Sequence, residues 1–242
     1  MLHTIDGIPV VNHGDYLLAW IRSVPYHSNV VDINQDAPSR NSVATTVAKI
    51  VGGLHRGRPR SDKVHRAILD AAKELLIRDG YTRLRLEHVA AAAGVGKATI
   101  YRRWRSKEEL AQALLADLAA PHIAIEETGD TRQEMLAAVV NPMRALTETE
   151  FGPVIRALLS QIAGNPLLGD PFRATVVQAR RNEVACLIAR GIERGELCPD
   201  ADAEIATELL VGPVYFRFIF GGALDQAFAE RIVDNVMRGY AT

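Results

Sequence analysis

The sequence predicts an all-α protein, and three observations carry that reading. Apolar residues recur at helical spacing, no strand alternation appears from Asp130 onward, and Leu86 to Trp104 reads as helix, glycine turn, helix. The expected architecture is a three-helix head of helix-turn-helix type followed by a C-terminal helical bundle. Residues 1–54 form a flexible or poorly ordered extension, 55–107 the head, and 108–242 the bundle.

Within the extension, Ile8 to Val31 is moderately apolar but broken by His13, Asp15, Arg22, Pro25 and His27, so it offers no bilayer span. It also lacks the basic start and small-residue cleavage site of a secretory signal, which makes the cytoplasm the expected location. Next comes Arg56-Gly-Arg-Pro-Arg60, similar to the core of an AT-hook. An extended Arg-Gly-Arg-Pro suits the narrow minor groove of A·T-rich DNA, where negative potential attracts guanidinium groups, so Arg56, Arg58 and Arg60 are candidate DNA contacts.

Helix one is expected from about Asp62 to Arg78, with Ser61 as its cap and Gly80 past its end. Val64, Ala67, Ile68, Ala71, Ala72, Leu75 and Leu76 form its apolar stripe. In the next pair, Val89 and Ile100 point inward and Ala90 permits a close crossing. Gly94 supplies a left-handed turn residue. The following helix is unusually polar and basic, with Lys97, Thr99, Tyr101, Arg102 and Arg103 in two turns. Ser106-Lys-Glu-Glu109 reads as a capping box that opens a long helix ending before Pro121.

Charge is segregated along the chain. Residues 55–107 hold 14 Lys and Arg against 5 Asp and Glu, a balance of +9, whereas the whole chain carries −1. A cationic head on an acidic body points to a polyanionic partner at one end. Cys186 and Cys198 have no metal-ligand spacing and read as reduced core thiols. No dinucleotide-binding glycine motif, Walker loop, His-Glu-x-x-His or Gly-x-Ser-x-Gly occurs. Neither an enzyme nor a cofactor or metal is expected.

Taken in order, Gly57-Arg-Pro-Arg60, Ala67-Ile-Leu-Asp-Ala-Ala72, Val89-Ala90, Gly94-Val-Gly-Lys-Ala-Thr-Ile-Tyr101, Trp104 and Ser106-Lys-Glu-Glu-Leu110 resemble the tetracycline-repressor (TetR-like) family over about residues 56–118. The resemblance implies an all-helical homodimer with a homeodomain-like head, a core that binds a small-molecule inducer, and repression from a palindromic operator on double-stranded DNA. Carried over by position, it places Lys97 and Ala98 at base edges, with Ala98 against a thymine methyl. Thr99, Tyr101 and Lys107 would hold phosphates, and Arg103 a phosphate or a base. Two positions depart from the family pattern. Arg85 stands at the cap of helix two, exchanging a capping bond for a cation that can meet a phosphate, and Gly96 starts helix three without a side-chain acceptor.

In the C-terminal part, Asn141-Pro142, Gly152-Pro153, Gly164-Asn-Pro166, Gly169-Asp-Pro171, Gly195 and Pro199 read as breaks between helices. Helices over about 171–194 and 202–220 carry more apolar surface than one buried face requires, which predicts a two-fold interface through Val184, Leu187, Ile188, Gly191, Leu209, Leu210 and Val214. Between about Leu110 and Gln178, the candidate lining of the inducer pocket implied by the resemblance is Met135, Met143, Arg144, Phe151 and Gln161, where an arginine would favour an anionic ligand. A sequence-tolerant architectural DNA-binding protein and an activator or ligand-independent regulator remain the alternatives.

Overall fold

The computed structural model describes residues 59–240, together with a two-residue antiparallel pair, β1 (Thr4–Ile5) and β2 (Ile8–Pro9), in a separate N-terminal unit. Arg56 and Arg58 of the expected arm lie outside the described residues, as do nearly all of residues 1–54.

The helical unit begins at Pro59, three residues before the expected start. Proline fits a first turn because its missing N–H would have no partner there, so α1 spans Pro59–Asp79 and includes Arg60 in its backbone. Ile68, Leu69, Ala72 and Leu76 bury its inner stripe, and Gly80 follows with a positive φ of 77°. Then come α2 (Leu86–Ala92), α3 (Lys97–Arg103) and α4 (Lys107–Ala119), which a 3-10 turn extends over Ala120–His122. At the start of α4 the Glu109 amide donates to Ser106 Oγ at 3.2 Å. The returning half of the expected capping box is displaced by one residue, since Glu109 Oε2 accepts from the Arg105 amide.

The C-terminal domain is organised on α5 (Thr131–Glu148), which packs against α6 (Phe151–Gly164), α8 (Gln178–Glu193), α9 (Ala203–Phe220) and α10 (Gln226–Tyr240). The short α7 (Pro166–Phe172) runs into α8 through a π-helical segment over Arg173–Val177. Helix α4 joins the two regions, packing on α1 of the head and on α6 and α7 of the body. An Arg66–Asp117 ion pair at 2.6 Å also ties α1 to α4.

Two prolines expected at breaks instead lie inside helices, Pro142 in α5 and Pro171 in α7, and Pro213 lies inside α9, within the helix expected there. A proline removes the bond to the carbonyl four residues earlier, and the structure satisfies one such carbonyl from outside. The Leu167 carbonyl, orphaned by Pro171, accepts from Gln112 Nε2 on α4. The helix break thus becomes a tie between the connecting helix and the body. Cys186 and Cys198 are partly exposed, not core thiols.

Candidate nucleic-acid interface

Local chemistry builds the two-helix element. Helix α2 starts from Arg85, whose extended backbone places its carbonyl to accept from the His88 and Val89 amides, both at 3.1 Å, with no side-chain cap. Gly94 closes the helix at φ 66°, a conformation that costs other residues steric strain. Gly96 opens α3 the same way, its carbonyl accepting from Thr99 and Ile100. Val89, Ala90, Ile100 and Trp104 are buried, and the Trp104 ring stacks on His65 of α1 at 5.2 Å. Those anchors fix the rotation of α3 and so decide which side chains face out.

The outward face carries Lys97, Ala98, Tyr101 and Arg102, all exposed, with Thr99 and Arg103 half-buried beside them. Arg85 is exposed at the start of α2. Exposed Arg83 and Arg105 extend the cationic surface, although the sequence reading assigns neither a contact. Helical spacing from Lys97 and Ala98 would have selected Arg102 and Arg105. None of Arg83, Arg85, Lys97, Arg102 and Arg105 forms an ion pair with a carboxylate among the described residues, so this surface keeps its positive charge.

Two of the expected contacts are engaged within the head. Tyr101 Oη donates to Glu87 Oε1 at 2.6 Å, an interaction that holds the Glu87 carboxyl below its ordinary pKa and pushes the Tyr101 hydroxyl up. Lys107 Nζ donates to the Tyr81 carbonyl at 3.3 Å and lies 4.2 Å from the centre of the same ring. The Tyr81 hydroxyl in turn donates to Glu108, and burial, with that bond, pushes its pKa up. Lys107 therefore pins the turn before α2 to the start of α4.

The other expected sites are placed differently. Met135, Met143 and Phe151 are buried core, and Gln161 is half-buried on α6. Arg144 is a correction: it is 63% exposed and paired with Glu148 one turn along α5, so it lines no interior surface. The subunit-face residues need a second correction. Val184, Leu187, Ile188, Gly191, Leu210 and Val214 are already buried within their own chain and have no surface left to cover a copy. Of the seven, Leu209 alone is exposed. Exposed apolar residues do run along α9, but on the opposite stripe: Ile205, Leu209, Phe216, Ile219 and Phe220.

Among the described residues no cluster of His, Cys, Asp and Glu could hold a metal ion, and no helix is long and apolar enough to cross a membrane.

Residues 68–114 match the family model described as bacterial regulatory proteins, tetR family, and residues 125–236 match that of a tetracyclin repressor-like C-terminal domain. The HTH-type transcriptional regulator YdeS of Bacillus subtilis is 31% identical over 76% of this chain and 93% of its own. The DNA-binding transcriptional repressor TetR of Mycobacteroides abscessus is 34% identical over 75% of this chain and 94% of its own. Among solved structures, the TetR family transcription regulator SCO0332 superposes with a TM-score of 0.58 at 29% identity, covering 74% of this chain and all of that one.

Proposed function

Since the chain belongs to the tetracycline-repressor family of transcriptional regulators, we propose that it is a repressor that binds a palindromic operator as a homodimer and is released by a small-molecule inducer. The observation that carries the DNA half is the exposed cationic face of α3, where Lys97 and Ala98 sit at the helix start with Tyr101 and Arg102 one turn on. A recognition helix inserts its first residues against base edges, while the surrounding hydroxyls and cations hold phosphates. Lys97 and Ala98 take the first role. Arg85, Thr99, Tyr101, Arg103 and Lys107 take the second, and Arg56 and Arg58 follow the minor groove beside the head, with Arg60 meeting the DNA from the first turn of α1.

Selection of bound duplexes from a random pool at about 0.15 M salt tests this reading. The expected result is an enriched inverted repeat that Lys97→Ala combined with Tyr101→Ala no longer selects. Binding without enrichment would replace the repressor with a sequence-tolerant architectural protein.

Glu87 has a restraining part in the same reading, because its carboxylate holds the Tyr101 hydroxyl and places a negative charge on the DNA-facing side. Glu87→Gln is expected to tighten operator binding several-fold at low salt, measured by fluorescence anisotropy. The gain shrinks as salt rises, since it is a long-range repulsion that is removed.

The dimer half rests on α9. Ile205, Leu209, Gly212, Phe216 and Ile219 fall within one helical stripe, Phe216 and Phe220 are 63% and 73% exposed, and open space lies above Gly212. An apolar stripe of this size on a soluble chain fits a second copy placed across a two-fold axis. Release follows if effector binding in the body shifts α4, because that helix packs on both regions and a changed head spacing no longer matches two half-sites.

A further inference from the structure

Arg180 on α8 is enclosed by the body of the protein, and burial is the first cause lowering its pKa. Tyr215 on α9 faces it, with its hydroxyl pushed up by burial and drawn down by the neighbouring guanidinium. Both side chains nevertheless keep accessible surface. A group can be enclosed and accessible at once when it lines a concavity. One turn before each, Val176 and Val211 are also partly buried and packed against the core, which gives the same wall an apolar flank.

The Arg180 guanidinium has no ion pair with a described carboxylate. It donates instead to two carbonyls at the end of the connecting helix, through Nη1 to Ile123 at 3.1 Å and through Nη2 to His122 at 2.5 Å. Glu183, one turn on, accepts from the Ile125 amide at 3.0 Å, and Asn141 Nδ2 donates to the Ala124 carbonyl at 3.0 Å. The backbone of residues 122–125 is therefore gripped by three side chains of the body. Two of those bonds come from a half-buried cation whose stronger natural partner is a carboxylate.

We propose that Arg180 and Tyr215 form the recognition end of the effector site, that the effector is an organic carboxylate with an apolar body, and that its carboxylate draws Arg180 away from the His122 and Ile123 carbonyls. This rests on the effector-responsive reading above and deepens it. The guanidinium fork donates to both carboxylate oxygens and the neutral phenol donates a third bond. Glu183 supplies a nearby negative charge, which disfavours a dianion such as phosphate. Loss of the two Arg180 bonds loosens the end of α4, the helix whose position sets the heads.

The test uses the full chain without DNA, so it stands or falls separately from operator binding. Octanoate, benzoate and phenylacetate are each compared with the corresponding neutral amide, with inorganic phosphate alongside, by thermal melting and by amide hydrogen exchange over residues 119–125. At least one carboxylate is expected to raise the melting temperature and to speed exchange in that segment, while its amide and phosphate do neither. Tyr215→Phe should weaken that carboxylate about tenfold, and Arg180→Gln should abolish its effect. Should Arg180→Gln not fold, Arg180→Lys decides instead: it keeps the charge but not the planar fork, and is expected to lose about tenfold or more. Amides as effective as acids, no response to any carboxylate, or equal carboxylate binding by the Arg180 and Tyr215 variants would overturn the assignment.

Discussion

Glu134→Ala is expected to lower stability by about 3–5 kcal/mol, seen as a drop of roughly 10 °C in the unfolding midpoint. Glu134 lies in the first turn of α5 and its side chain is fully buried. Its Oε2 accepts from Arg190 Nη2 at 2.6 Å and Nε at 3.1 Å, while Oε1 faces Arg194 Nη1 at 3.5 Å and accepts from the Thr128 and Gly129 amides. Arg194 also donates to the buried Thr131 hydroxyl at 2.6 Å. Removing the carboxylate leaves the largely buried Arg190 guanidinium without its anion, Arg194 with Glu196 alone at 3.5 Å, and two loop amides without an acceptor. That loss exceeds the attraction itself, because desolvation of the remaining charges is no longer offset. The corner cannot collapse around the gap: Gly191 already packs so closely that a methyl there would come within 2.6 Å of Leu197 and 2.9 Å of the Thr131 hydroxyl. Calorimetry on Glu134→Ala, on Arg194→Met and on the double variant checks the account. Independent, additive losses would show that Glu134 and Arg194 do not act as a unit.

That corner also marks how far the sequence can be read. An acidic residue in a helical first turn is ordinary, so nothing local distinguishes Glu134 from an exposed one. The head was legible because its signals are local: Gly94 adopts the left-handed turn, Arg85 and Gly96 stand at the helix starts, and Ser106 caps α4. Prolines misled because a helix can pass through one where another element supplies the missing partner, as Gln112 does for the Leu167 carbonyl. The Arg180 and Tyr215 pair is of the same non-local kind, since residues 35 apart meet only once α8 and α9 pack. The final helix α10 is a different case. Its buried Phe228, Ala229, Ile232, Val233 and Val236 follow plain helical spacing and were available to a longer reading.

The choice of subunit face was beyond the sequence for a reason that leads to the second large effect. Helix α9 is apolar on nearly every side, so periodicity reveals an excess of apolar surface without saying which stripe its own chain covers. The fold resolves this: Leu210, Val214 and Phe218 turn inward, leaving Ile205, Leu209, Phe216, Ile219 and Phe220 outward. The combination Leu209→Glu and Phe216→Glu is therefore expected to convert a dimer to a monomer, with little cost to the folded chain because both positions are exposed. Across a two-fold axis each new carboxylate is repeated on the partner, so two substitutions place four like charges in one apolar contact. Operator affinity should fall about a hundredfold or more, since the two heads then bind separately instead of as one linked pair. Val214→Ala is the contrasting variant, expected to lower stability by about 1–3 kcal/mol, roughly twice the cost of one lost buried methyl group, with association unchanged. Sedimentation velocity on the three proteins separates these cases: a wild-type monomer would overturn the dimer, and a doubly charged variant that still dimerises would move the interface off α9.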